Sequence, residues 1–259
     1  MTPLATFWAL VRHEYRGKGS WRKQNRSPIT RRWKAVYAAI MLAAGLGVTL
    51  YLAVHHTLRF EQLWYVTYGL PYMFFFFGYG SYKREWENET YGWWLTMPYP
   101  RFWLIAAKWL GALLRILTIW TIVYVLAFAY VSLITIALES YTFADVGHFM
   151  VTGFNWLVLT IGFSPFITAL GLFTGNTQYT TLRPLLPVLW VLCMGGMGTL
   201  YSASFNSEIG DLFAQMNGEH PVTLLPFSWM AAAVIVASWL AAYGLIRLSA
   251  YLLDRRLLL

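Results

Sequence analysis

The chain has 259 residues, of which 58% are hydrophobic and only 12% charged, with a formal net charge of +8. A soluble domain would carry about twice that share of charge, and its apolar residues would recur at amphipathic intervals instead of gathering into long runs. This excludes an ordinary soluble globule, and because excess Lys and Arg in a membrane protein first serves orientation, nucleic acid is not expected as a partner.

The first residues carry Arg12, Glu14 and Arg16 and no uninterrupted apolar core, so a cleavable signal is not expected. Pro3 to Arg16 instead put Leu4, Phe7, Trp8, Val11 and Tyr15 on one helical face, the pattern of an amphipathic helix lying in the headgroup region. The basic stretch GKGSWRKQNRSP that follows reads as an exposed linker, so residues 1–34 form a cytoplasmic helix and linker.

A span needs about 20 mostly apolar residues. Six stretches qualify: Ala35 to Val54, Leu63 to Tyr82, Ile116 to Leu138, His148 to Phe173, Leu185 to Phe205 and Phe227 to Ile246. Pro165 predicts a kink in the fourth, tolerable where neighbours satisfy the freed carbonyl. Residues 206–226 read as an external connection before the last span. Between the second and third spans lies the segment 83–115, in which no helix breaker follows Pro100. A single helix from Arg101 to Leu138 would be about 57 Å long at 1.5 Å per residue, so its first third must stay outside the hydrocarbon. Arg101, Lys108 and Arg115 recur every seven residues on one face of it. That face suits phosphate headgroups or a partner's acids, or the three snorkel with no further role. All Lys and Arg residues except Arg59 fall on one side of the six spans, which puts both termini in the cytoplasm. The whole chain, 1–259, thus reads as one all-α polytopic membrane domain.

Chemistry is sparse. No Asp or Glu falls in the middle of a span, so proton relays and paired-carboxylate proteolysis are not expected. His55 and His56 do not share a helical face and read as the polar end of the first span before a metal site. Ser164, Ser202 and Ser204 have no His at a readable spacing, and the phosphate-cradling pattern GxxxxGK[ST] does not occur. No catalytic residue, metal ligand or cofactor is assigned to the chain. Gly171 and Gly175, with Gly195, Gly196 and Gly198, suit close helix approach. Cys193 is single, so no internal disulfide forms.

The segment KREWENETYGWWLTMPYPRFWLIAAKWL stands apart. Glu85, Glu87 and Glu89 lie at the N-terminus of a short helix, where negative charge is favoured. Trp93, Trp94, Leu95 and Met97 form a compact apolar surface of the kind that anchors protein interfaces. The segment resembles the cytoplasmic signature of ABC type-2 permeases, the membrane domains of ATP-driven exporters: Glu89, Gly92, Leu95, Pro98, Arg101 and Lys108 occupy the family's positions, although Trp93 stands where a small residue is usual. The resemblance implies a coupling helix including Trp93 and Trp94 that docks into a cytoplasmic ATPase. It further implies two ATPase copies binding ATP and Mg, a second permease subunit, identical or related, and a bacterial cell membrane as the setting. An amphipathic or lipid-like cargo, moved outward, fits such a dimer. A non-transporting membrane protein (a sensor, an immunity subunit or a scaffold) remains the alternative.

Overall fold

The computed structural model describes residues 2–17, 30–55, 57–138, 141–200 and 207–255. The expected linker beyond Gly17, His56, Ser202, Ser204, Arg256 and the last residues of the fifth expected span lie outside them. In chain order the elements are α1 (Pro3–Arg16), α2 (Arg31–Val54), a 3-10 helix (Phe60–Thr67), α3 (Leu70–Glu87), α4 (Tyr91–Leu95), α5 (Arg101–Ala137), α6 (Phe143–Thr177), a 3-10 turn (Arg183–Leu185), α7 (Leu186–Leu200), α8 (Ser207–Asn217) and α9 (Trp229–Arg255). No strand occurs among the described residues. Four helices, α2 from Arg32, α5, α6 and α9, are long and apolar enough to cross a membrane. The protein is therefore all-α and of membrane character. The expected second span opens in the 3-10 helix and becomes α-helical only at Leu70, and α3 ends on Lys83, Arg84, Glu85 and Glu87. The helix α7 has 15 residues.

Helix α6 is the axis of the bundle, buried along most of its length. It meets α3 backbone to backbone: a Cβ on Gly171 would stand 2.0 Å from the Phe75 carbonyl oxygen, and one on Gly78 would stand 2.0 Å from that of Thr168. Only glycine at both positions lets the two backbones approach this closely. Pro165 sits inside α6, which stays helical through it. Proline gives no N–H to the Ile161 carbonyl, and the Ser164 hydroxyl donates to that carbonyl at 2.9 Å in its place. Trp109 Nε1 of α5 donates to the Pro165 carbonyl at 2.9 Å, and Trp239 Nε1 of α9 to that of Gly162 at 2.8 Å. Two tryptophans thus tie the neighbouring helices to the proline turn.

These contacts also set directions. Helices α3, α6 and α9 run one way, as Phe75 to Gly171, Tyr79 to Gly175 and Asn176 to Ser249 register. Helix α5 runs against them, with Tyr124 bonded to the Met150 carbonyl and Trp109 to that of Pro165. At the far end of the bundle, Arg59 donates to the Asn217 carbonyl at 2.6 Å and closes α8. The connection expected over 206–226 is, in its described part, a packed layer. Ile209, Leu212 and Met216 of α8 are buried. The fully buried Asn155 of α6 holds the following chain by donating to the Thr223 carbonyl at 2.7 Å and accepting from Leu225 N–H at 2.8 Å.

Helix α1 lies along the first third of α5 and runs with it: Phe7 meets Trp103 at 5.9 Å, Glu14 packs on Gly111 and the Tyr15 and Thr118 hydroxyls bond at 3.0 Å. The apolar face expected of α1 is divided. Val11 is buried and Phe7 half-buried, whereas Leu4, Trp8 and Tyr15 are exposed. Helix α2 touches the bundle near its end, where the Thr49 and Tyr130 hydroxyls pair and Tyr141 bonds to the Ala53 carbonyl.

Candidate functional site

The site is built on Lys108, whose side chain is wholly buried. A lone buried ammonium would cost several kcal/mol. Here its Nζ donates to Glu14 Oε1 at 2.6 Å and to Glu85 Oε1 at 2.7 Å, and it lies 5.0 Å from the centre of the Trp94 ring. Burial pushes the Glu85 carboxyl up, but the Lys108 charge and hydrogen bond, helped by the Thr90 hydroxyl and the Arg84 charge, hold it below the usual carboxylate range. Three elements, α1, α3 and α5, therefore meet at one ammonium.

The α3–α4 turn is fixed to the same point. Glu89 turns the chain with φ of 57°. Thr90 N–H then bonds to the Glu85 carbonyl at 2.9 Å, while its hydroxyl donates to Glu85 Oε2. Trp94 is buried edge-on against Tyr82, ring centres 5.8 Å apart. Trp86 is sandwiched between Tyr91 at 4.4 Å and Tyr179 at 4.2 Å, both nearly parallel to it. Burial, aided by Tyr79 and Glu87, pushes the Tyr179 phenol up to about 12. Arg101 donates to the Leu95 carbonyl at the end of α4, a favourable place for a cation.

The basic face of α5 is thus engaged first by the protein's own elements, with Lys108 buried and Arg101 and Arg115 half-buried. Arg101 seats α4, and Lys108 seats α1 and α3. Arg115 donates to the Glu14 and Tyr15 carbonyls at 2.8 and 2.9 Å, seating the end of α1. Arg84 adds a bond to the Gly17 carbonyl at 3.3 Å. Sequence reasoning missed Glu14 and Glu85 as the acids that answer Lys108. The available signal was a glutamate on α1 in helical register with Phe7 and Val11, the residues that pack on α5.

Between α1, the end of α3, α4 and α5 lies a cleft of about 820 Å³. Its floor is apolar, with Leu10, Trp94, Met97, Leu104 and Ala107; Arg12, His13, Arg16 and Arg84 stand around it, and Glu14 and Glu85, which also line it, are paired with Lys108. Trp93 forms one wall and is 80% exposed, while the adjacent Trp94 is 5% exposed. Of the residues picked from sequence, Glu89, Gly92, Trp93 and Pro98 are exposed, Leu95 and Arg101 half-buried, and Trp94 and Lys108 buried. Trp94 therefore belongs to the base of α4 and not to its outward surface. Such a cleft can take an acidic protein surface that also offers apolar contact. Elsewhere, His220 faces Asp211 at 3.7 Å in an exposed position, and no group of three or more metal-binding side chains occurs among the described residues. No protein-family model, no characterised protein and no solved structure matches this chain.

Proposed function

We propose that this chain is the membrane-spanning subunit of an ATP-driven exporter of the ABC type-2 permease kind. In this reading it has six spans, α3 and α7 completing the four long helices, and both termini are cytoplasmic. It pairs with a second permease subunit and two ATPase copies and moves an amphipathic or lipid-like cargo outward. The supporting observation is the division between neighbouring tryptophans. Trp94 locks α4 to Lys108 and Tyr82, and Trp93 is left standing in water beside a basic, apolar-floored cleft. A large exposed aromatic side chain on a helix seated by its neighbour can become a buried anchor for a partner.

The test is co-purification from mild detergent, identification of a nucleotide-hydrolysing partner, and a pull-down at matched membrane levels. Trp93→Ala is expected to weaken that partner's binding more than tenfold, since a buried aromatic anchor is worth roughly 2 kcal/mol or more and 1.4 kcal/mol is a decade. The folded protein should keep its melting temperature. Trp94→Ala should act the other way, costing about 3–5 kcal/mol of stability as a core truncation. Unchanged partner binding by Trp93→Ala, or the absence of any ATPase in the complex, would sink the proposal.

A further inference from the structure

A second groove, of about 590 Å³, opens between the turn before α5 and the last turns of α9, with Arg101, Phe102, Arg247, Tyr251 and Asp254 on its walls. Arg247 is exposed and ends the charge-free run Trp229 to Ile246 of α9. Its Nε donates to the Tyr243 hydroxyl at 2.8 Å. The guanidinium carbon lies 4.6 Å from the centre of the Phe102 ring and 5.4 Å from that of Tyr243. Among the described residues neither Arg247 nor Arg101 forms an ion pair. Arg247 is thus a long cationic side chain already immobilised by two rings and one hydrogen bond, with both terminal nitrogens open to a fork-like grip on an oxyanion. Where a spanning helix ends, the anions at hand are phosphates of lipid headgroups. Two guanidiniums against the one carboxylate of Asp254 leave the groove positive. Tyr243 and Leu240, one and two turns before Arg247 on the same face, are exposed and offer apolar surface in line with it.

We propose that this groove binds an anionic phospholipid of the leaflet on the α4 side, its phosphate held by Arg247 with support from Arg101 and its acyl chains lying along Leu240 and Tyr243. The inference requires that α9 cross the membrane and is independent of the exporter reading.

The experiment uses the full chain, delipidated in detergent and offered phosphatidylglycerol, phosphatidylcholine or inorganic phosphate, with retained lipid read by native mass spectrometry and stability by melting temperature. Phosphatidylglycerol should be retained at least tenfold more tightly than phosphatidylcholine and should raise the melting temperature. Millimolar phosphate should do neither. Arg247→Gln should abolish the preference while leaving the lipid-free melting temperature unchanged. Should that variant fold poorly, Arg247→Lys keeps the charge without the fork and should still bind phosphatidylglycerol several-fold more weakly than the parent. Equal retention of the two lipids, an equal shift from free phosphate, or full preference in the Arg247 variants would overturn the assignment.

Discussion

Replacing Lys108 with Met tests whether one ammonium holds α1, α3 and α5 together. Both carboxylate oxygens lie within 2.7 Å of the same Nζ, so they stand no more than about 5 Å apart once it is gone. At an effective dielectric near 20, two charges at that separation repel by about 3 kcal/mol. That agrees with the 3–5 kcal/mol usual for breaking a buried ion pair from one side, and it is about two decades in the equilibrium between docked and released α1. The assay is tryptic cleavage at Arg12 and Arg16, read by peptide mass on the purified chain, beside its melting temperature. Lys108→Met should be cut about a hundredfold faster than the parent. Adding Glu14→Gln and Glu85→Gln should restore most of the loss, because no charge is then left unpaired. The pH dependence has opposite signs in the two proteins. In the parent, Glu85 is held below the ordinary value of 4.5, so its contribution is full above that value and fades as pH falls through the lowered one. In Lys108→Met the two carboxylates gain by taking up protons, so the deficit shrinks towards acid. A single variant cut no faster than the parent, or a triple variant as defective as the single, would refute the reasoning.

Two further predictions concern the fold and its orientation. Gly78→Ala forces a methyl group against the Thr168 carbonyl and should cost about 1–3 kcal/mol as overpacking. Gly80→Ala, which meets open space, should leave the melting temperature within a degree or two of the parent; equal effects would deny the α3–α6 backbone contact. Cysteines at Glu61 and Asp211 should react with an impermeant maleimide from outside intact cells, and those at Thr96 and Asp254 only after permeabilisation. Cys193 is buried and keeps the background silent, and the reverse pattern would overturn the cytoplasmic placement of α4.

Features written in local patterns were readable before any coordinates. Pro3 and Arg16 bound α1 as expected, Pro100 precedes α5, and the apolar runs of α2, α5, α6 and α9 are helices long and apolar enough to span. The packing role of Gly171 also followed from its spacing to Gly175. What could not be read was which face is covered, and by what. A seven-residue cation period says that Arg101, Lys108 and Arg115 share a face. It does not say that α1, far away in sequence, lies on it. Trp93 and Trp94 look alike in composition, but neighbours on a helix point about 100° apart, so one is buried when the other is not. The segment holding α8 reads from sequence only as an external connection, and Glu208, Asp211 and Glu219 keep it from forming a long apolar run. The spacing of Ile209, Leu212 and Met216 was a helical signal too short to weigh as a span.

On the exporter reading, the contacts around α4 decide how a displacement of it is shared. Moving α4 alone would have to break the Arg101 bond to Leu95, the edge-on Trp94–Tyr82 contact and the stacking of Tyr91 on Trp86. Aromatic contacts of this kind are worth about 0.5–1.5 kcal/mol each beyond their buried area, and the buried ammonium adds about 3 kcal/mol to any separation of α3 from α5. The cheaper response is for α4 to carry α1, the ends of α3 and α6 and the first third of α5 with it as one body. Helix α2 lies outside that body: among the described residues, the hydrogen bonds that join it to the bundle, at Thr49 and Ala53, are at its opposite end. Relative movement on coupling is therefore expected between α2 and the remainder. A cysteine pair joining the α1 end of the body to α5 should leave transport intact, because those parts already move together.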